Sequence, residues 1–405
     1  MLAVPSVNIQ ELNGRYNLEP YKLHFQSAKK YKLSTGHRGK VQSLAWSHSG
    51  NFLVTGATDG GIRLWCFDRL MLHFNTINGA KESKGKLEEN NLTFSMELKG
   101  HTGSVTQVIW SPLNQAMLAS SGTDKKVCLW NTAASPSHKS TSSKPEPRSP
   151  RKSGKREERT QPPLSNELLS TLTIDTGSEN LNLSWHPTLP ILVIGTRDDR
   201  LIFVRLASDL SKVMQRAELQ LATEINEATW SPDGGLLLLG IASGQVTVFG
   251  FDASSLQVKE VRHISGHTSN VLCVKWHYKN DKLAFGSSDA SVTIWSVPEF
   301  RLQQTINRHE WPVRALSFSH DAQFLAVGSE DAFLSIEHVD TGALVTKIGN
   351  KRTDDTSANG NASGSTGVSI NAVTWHPSKL VLAYAGDEVD DRTGRATGSV
   401  YLFGL

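Results

Sequence analysis

The stretch Gly36–Trp65 reads GHRGKVQSLAWSHSGNFLVTGATDGGIRLW. An apolar run closes on Trp46, a polar turn follows, a second apolar run ends in turn residues, and a third closes on Trp65. Short alternating runs separated by Gly, Asp, Asn or Pro are antiparallel strands joined by tight turns. The unit recurs along the chain. First runs close at Trp46, Trp110, Trp185, Trp230, Trp276, Phe318 and Trp375, and third runs at Trp65, Trp130, Phe203, Phe249, Trp295, Ile336 and Phe403. The offset between the two markers is 18 to 20 residues in six units and 28 in the last, where an insertion intervenes.

Three strands per unit cannot bury both of their faces, so neighbouring units must stack, and closing the stack into a ring leaves only short protected edges. The predicted fold is therefore all-β, a seven-bladed propeller. The last unit stops at its third strand, GSVYLFGL, with no chain left for a fourth. The spare strand lies at the other end, from Lys30 to Ser34, and the ring is expected to close by this N-terminal strand completing the last blade. Residues 1–29 read as an N-terminal extension and 30–405 as the propeller, with insertions at 67–92, 131–167, 351–367 and 387–397. The first two follow third strands; the others follow an outer strand and a second strand. In a propeller these two classes of loop open on opposite faces.

With 405 residues, 38% of them hydrophobic and 20% charged, the chain has the composition of an ordinary soluble protein. No run of eighteen apolar residues exists, and the start lacks a basic and an apolar leader region, so neither a membrane span nor a secretory signal is expected. Cys66, Cys128 and Cys273 have no metal-type spacing and read as buried free thiols. The net charge of +3 is unevenly spread: the segment 139–159 carries +5, which leaves −2 on the rest. A slightly acidic body is ill suited to tight, sequence-independent binding of nucleic acid.

The Gly-His opening and the closing tryptophan recur together at Gly36-His37 and Trp65, Gly100-His101 and Trp130, and Gly266-His267 and Trp295. Asp59, Asp124 and Asp289 follow the histidines by 22, 23 and 22 residues, and His309 and Asp331 repeat the 22. At this spacing the chain resembles the WD-repeat proteins. The resemblance implies a buried hydrogen-bond chain in which Asp fixes His and His reaches a hydroxyl and the Trp. Thr55 and Ser120 are the expected hydroxyl members in blades 1 and 2. Blade 5 has Phe285 there and is expected to be incomplete.

Candidates for chemistry are few. Of fourteen histidines, four (His37, His101, His267, His309) hold the repeat position and five (His48, His186, His277, His320, His376) recur in the turn after the first strand. No HExxH, GxSxG, Cys-His spacing or phosphate-cradling glycine loop is present, and the acidic run Asp387, Glu388, Asp390, Asp391 lacks regular calcium-ligand spacing. No enzyme, cofactor, metal or small-molecule substrate is expected. The Ser/Pro/Lys/Arg-rich part of the 131–167 insertion reads as disordered. Ser135 and Ser149 stand before proline as candidate phosphorylation sites, and Arg151, Lys152, Lys155 and Arg156 form a candidate nuclear-import or RNA patch.

Four stretches are not generic to the repeat: Ser178–Val204 with Asn-Leu-Asn before Trp185, Glu224–Phe249, Glu310–Gly342 with Trp311-Pro-Val-Arg, and the closing Leu-Phe-Gly. These resemble the WD-repeat subunits of the THO complex, the nuclear assembly coupling transcription to messenger RNA export. The resemblance implies a nuclear scaffold that binds other THO subunits and meets a DEAD-box RNA helicase and mRNA indirectly. Adaptors of chromatin-modifying or ubiquitin-ligase complexes use the same fold and are the alternative. Trp311, with nearby Arg314, is the candidate partner contact, as an aromatic with an arginine is a common interface anchor.

Overall fold

The computed structural model describes residues 17–33, 35–72, 96–133, 167–277, 281–297, 299–331, 333–349, 369–389 and 396–404. These form seven sheets, each built on four antiparallel strands. The innermost strands are Val41–Trp46, Val105–Trp110, Asn180–Trp185, Ile225–Trp230, Val271–Trp276, Val313–Phe318 and Ile370–Trp375. They contact one another in a closed ring around a central channel of about 190 Å³. The chain is thus a seven-bladed propeller.

Every inner strand slips register by one residue near its start, between Val41 and Ser43 in blade 1 and at the equivalent place in the other six. A bulge takes one residue out of the ladder and re-aims its neighbours. In three seams the side chain beyond the bulge crosses to the next blade. The Ser43 hydroxyl accepts from the Val108 N–H at 3.0 Å, the Gln107 amide oxygen from the Leu183 N–H, and the Glu227 carboxylate from the Val274 N–H at 2.6 Å.

In the last blade Lys30–Leu33 pairs antiparallel with Ala396–Phe403, Leu33 opposite Val400 and Lys30 opposite Phe403. Its neighbour across the seam is blade 1, which approaches closely: the Gly398 N–H donates to Gly39 O at 3.1 Å, and a Cβ on Gly398 would lie 2.2 Å from the Val41 nitrogen. Two stretches differ from their reading as insertions. The 131–167 segment ends in a short strand, Glu167–Leu169, that pairs in parallel with Met96–Lys99 and so edges blade 1 rather than its own blade. The 387–397 segment is strand in its described part, since Leu382–Val389 and Ala396–Phe403 pair out to Val389 opposite Ala396.

The turn histidines fasten neighbouring blades. His376 Nε2 donates to Gly50 O at 3.1 Å with its ring 4.9 Å from Trp46, and His186 stands 4.8 Å from Trp230. Gly50 and Gly234 have positive φ, and a Cβ on them would lie 2.4 and 2.3 Å from these imidazoles, so each turn requires glycine twice over. A further aromatic covers each pair: Phe67 is 5.4 Å from Trp46, and Phe251 is 4.7 Å from Trp230.

Between blades 6 and 7 the cover comes from outside the ring. Helix α1 (Glu19–Ser27), with its proline in the first turn where a missing N–H costs nothing, places Phe25 5.5 Å from Phe324, 6.1 Å from Trp375 and 6.0 Å from Phe403. Phe25 is 2% exposed. The extension before residue 30 therefore contributes to the core. Phe25→Ala is expected to cost about 3 kcal/mol, the usual loss for a buried phenylalanine, measured by equilibrium denaturation. A midpoint unchanged from the parent chain would show that α1 is not part of the cooperative unit.

Candidate functional site

Two groups of residues carry the candidate site: the buried networks that shape the top loops of blades 1, 2, 5 and 6, and the exposed residues those loops present. In blade 1, His37 Nδ1 lies 3.2 Å from Asp59, His37 Nε2 is 2.8 Å from Thr55 Oγ1, and Trp65 Nε1 donates to the same oxygen at 3.4 Å. In blade 2 the corresponding distances are 3.0 Å (His101 to Asp124), 2.8 Å (His101 to Ser120) and 2.8 Å (Trp130 to Ser120). Proton counting fixes the direction. The carboxylate can only accept, so Nδ1 carries the proton and donates to it; in a neutral imidazole Nε2 is then an acceptor and takes the hydroxyl proton, while the hydroxyl oxygen accepts from the indole N–H.

Blade 5 corrects the expectation of an incomplete network. The hydroxyl has moved to the facing strand: His267 Nε2 is 2.9 Å from Thr293 Oγ1, and Trp295 Nε1 donates to that oxygen at 2.8 Å. Thr293 sits directly opposite Phe285, so the hydroxyl enters the same space from the other side of the pair. His267 also reaches Asp289 at 3.1 Å. Blade 6 repeats the exchange, with Ser335 opposite Val327 and 3.1 Å from His309 Nε2, and His309 Nδ1 2.9 Å from Asp331.

Register also moves two third-strand markers. Trp65 and Trp295 lie opposite Leu53 and Leu283. The residues in that position in blades 3 and 6 are Val204, opposite Leu192, and Glu337, opposite Leu325, rather than Phe203 and Ile336. Blade 3 uses neither His nor Trp. There Asn180, fully buried, donates to Gly122 O at 3.3 Å and Lys126 O at 3.0 Å and accepts from Thr176 Oγ1 at 2.7 Å. Asn180 of the Asn-Leu-Asn segment is therefore a strap onto the blade 2 hairpin.

The exposed candidates diverge. Trp311 is 57% exposed. Arg314 is half-exposed, and its Nε donates to Glu330 at 2.6 Å. Ser135, Ser149, Arg151, Lys152, Lys155 and Arg156 lie outside the described residues. Among the described residues no group of three or more His, Cys, Asp or Glu is arranged to hold a metal, and no helix is long and apolar enough to cross a membrane.

Burial holds the imidazoles of His37, His267 and His309 below their ordinary 6.5 in spite of the aspartate beside each. Burial alone would raise Asp59, Asp124 and Asp289, but the histidines, the backbone N–H groups of Arg38, Thr102 and Thr268 and, at Asp289 first of all, the Ser291 hydroxyl outweigh it and hold them below 3.8. On acidification the unfolded chain takes up protons first at both kinds of site, so stability is lost as pH falls. The melting temperature is expected to be flat between about pH 7 and 8 and to decline below about pH 6.5; a rise on acidification, followed by calorimetry, would contradict the assignment. Thr293→Val, which removes the hydrogen-bond partner of the His267 Nε2 and of the Trp295 indole, is expected to cost about 2 kcal/mol. A neutral effect in chemical denaturation would mean that the blade 5 network contributes nothing.

Fold and networks together define a WD-repeat β-propeller. The model of the WD domain, G-beta repeat, matches residues 29–66, 92–131 and 300–336, and that of the anaphase-promoting complex subunit 4 WD40 domain matches residues 183–279. The chain is similar along nearly all its length to THO complex subunit 3 of Arabidopsis thaliana, 27% identical over 370 residues, 91% of this chain and 94% of that one. WD repeat-containing protein AAC3 of Dictyostelium discoideum is 28% identical over 78% of this chain and 60% of its own length. Pre-mRNA-processing factor 19 of Bos taurus is 32% identical over only 37% of this chain and 26% of its own. Among solved structures, the β-propeller domain of Cps50 (Swd1) of Myceliophteria thermophila superposes with a TM-score of 0.63 at 14% identity, covering 93% of this chain and all of that one. At that identity the likeness is one of fold.

Proposed function

We propose that the protein is a non-catalytic subunit of a THO-type complex in the nucleus, a scaffold in the coupling of transcription to mRNA processing and export. The observation that carries this reading is the extent of the similarity to the Arabidopsis subunit. A likeness built on repeat residues alone would resemble the match to pre-mRNA-processing factor 19, confined to 149 residues. The similarity to the THO subunit instead runs over 370 residues, through blades that have lost the repeat signature. No catalytic family is indicated by any of these similarities. In this reading the partners are other THO subunits, and the RNA helicase and mRNA are reached through them.

The blade 6 loop is the proposed point of contact. A large aromatic left more than half in water, next to a loop whose histidine is fully hydrogen-bonded, offers apolar area on a rigid support. Arg314, held by Glu330, borders it on the inner strand. The test is affinity purification of the tagged full chain from nuclear extract with mass spectrometry, in parallel with Trp311→Ala/Arg314→Ala. The parent is expected to return THO subunits, and the double variant to bind them at least about tenfold more weakly with an unchanged melting temperature. Recovery of histone-modifying or cullin components in their place would overturn the THO reading, and undiminished recovery by the variant would overturn the blade 6 contact.

A further inference from the structure

In blades 2 and 5 the residue before the network histidine is glycine because the indole needs the room. A Cβ on Gly100 would lie 2.8 Å from the Trp130 ring, and one on Gly266 would lie 2.6 Å from Trp295. Blade 6 replaces both members of this contact. Arg308 stands where the glycine does, and Glu337 where the tryptophan does. Glu337 is fully buried, and neither of its oxygens has a hydrogen-bond partner among the described residues. Arg308 Nε lies 3.8 Å from Glu337 Oε2, and Arg308 Nη2 donates to Gly342 O at 2.9 Å. The arginine arm and the glutamate thus take the place of the indole, and a charge pair takes the place of a steric wedge.

The pair sits at the root of the loop that carries Trp311. His309 follows Arg308 directly and is fixed by Asp331 and Ser335; the Phe333 ring stacks on it at 5.0 Å, and the Lys347 ammonium lies 4.2 Å above that ring. Trp311 emerges two residues later. An arginine at position 308 has less backbone freedom than the glycine of blades 1, 2 and 5, and its guanidinium partly offsets the burial that pushes the Glu337 carboxyl above its ordinary 4.5.

We propose that Arg308 and Glu337 are positioning residues for the Trp311 loop, a partly exposed guanidinium paired with a buried carboxyl that together present the exposed indole in one orientation to the partner. The inference rests on the reading of Trp311 as the partner contact. Preorganising a contact loop in its bound form removes an ordering cost from association.

Hydrogen exchange on the full-length protein tests the pair without any partner. Glu337→Gln keeps the shape and removes the charge; amides of residues 308–313 are expected to exchange about tenfold faster while those of blades 1 to 3 are unchanged. Arg308→Gly combined with Glu337→Trp rebuilds the arrangement of blades 2 and 5. It is expected to restore protection of the blade 6 network to within about threefold of the parent, whereas Arg308→Gly alone does not. The proposal is overturned if exchange in 308–313 is unmoved by Glu337→Gln, or if all seven blades loosen equally. Should Glu337→Gln fail to fold, Arg308→Gly alone decides: a loop as protected as that of the parent also overturns the proposal. Association with THO subunits is read separately, so a loosened loop with undiminished association upholds the positioning role and removes the contact reading instead.

Discussion

The sheets of this protein have two apolar faces each, and neither face can be left in water. The second strands show it most plainly: Met117–Gly122, Ile191–Thr196 and Phe324–Ser329 are buried at every residue. A side chain on one face belongs to the seam with the preceding blade and its neighbour to the seam with the following one. Stability therefore resides between blades, as the core clusters do: Trp46 and Leu53 of blade 1 pack with Ala383 and Leu402 of blade 7, and Phe324 and Ile336 of blade 6 with Tyr384 and Phe403. A row of such sheets always has two uncovered ends. A ring has none, which is why the pairing of Lys30–Leu33 with Ala396–Phe403 and the close approach of Gly398 to blade 1 matter beyond their own few hydrogen bonds.

Within that ring the His, Asp and hydroxyl network solves a local problem. The loop entering each blade must be held above an apolar seam, and a buried imidazole is tolerated only when both nitrogens are satisfied. What the geometry demands is an oxygen between the imidazole and the third strand, and it is indifferent to which strand supplies it. Blades 1 and 2 supply it from the second strand with Thr55 and Ser120, blades 5 and 6 from the third with Thr293 and Ser335. Blade 3 abandons the imidazole and satisfies the same loop with Asn180. One physical requirement has at least three solutions in one chain.

Much of this was legible in the amino-acid sequence because propeller blades repeat at nearly constant spacing. The count of seven, the strand positions, the His and Asp pairs of blades 1, 2, 5 and 6, and the hydroxyls of blades 1 and 2 all follow from it. Position carries more than residue type where the two disagree. Phe203 and Ile336 are large and apolar, yet an offset of 19 residues from Trp185 and Phe318 points to Val204 and Glu337, as it does from Trp46 to Trp65 and from Trp276 to Trp295. Thr293 likewise stands two residues before Trp295 and hence on the same strand face. Other features have no local signature. The packing of Phe25 against blades 6 and 7, the parallel strand Glu167–Leu169 on blade 1 and the bulge-linked bonds of Ser43, Gln107 and Glu227 join residues far apart in the chain.

Blade 6 shows how a departure from the repeat becomes usable. A tryptophan at the third-strand position supports its own loop by an indole hydrogen bond to the network hydroxyl and, in blades 2 and 5, by its fit against the glycine before the histidine. Replacing it with a buried carboxylate is unfavourable taken alone, since the charge loses its hydration. The replacement is eased by a cation brought in from the loop, Arg308, with Lys347 of the outer strand adding to it. The two changes are therefore coupled by electrostatics, and together they make the loop of this one blade different in kind from its counterparts. An exposed tryptophan three residues beyond that arginine is then set on a support that no other blade shares, which is the property a specific contact on a sevenfold repeating ring requires.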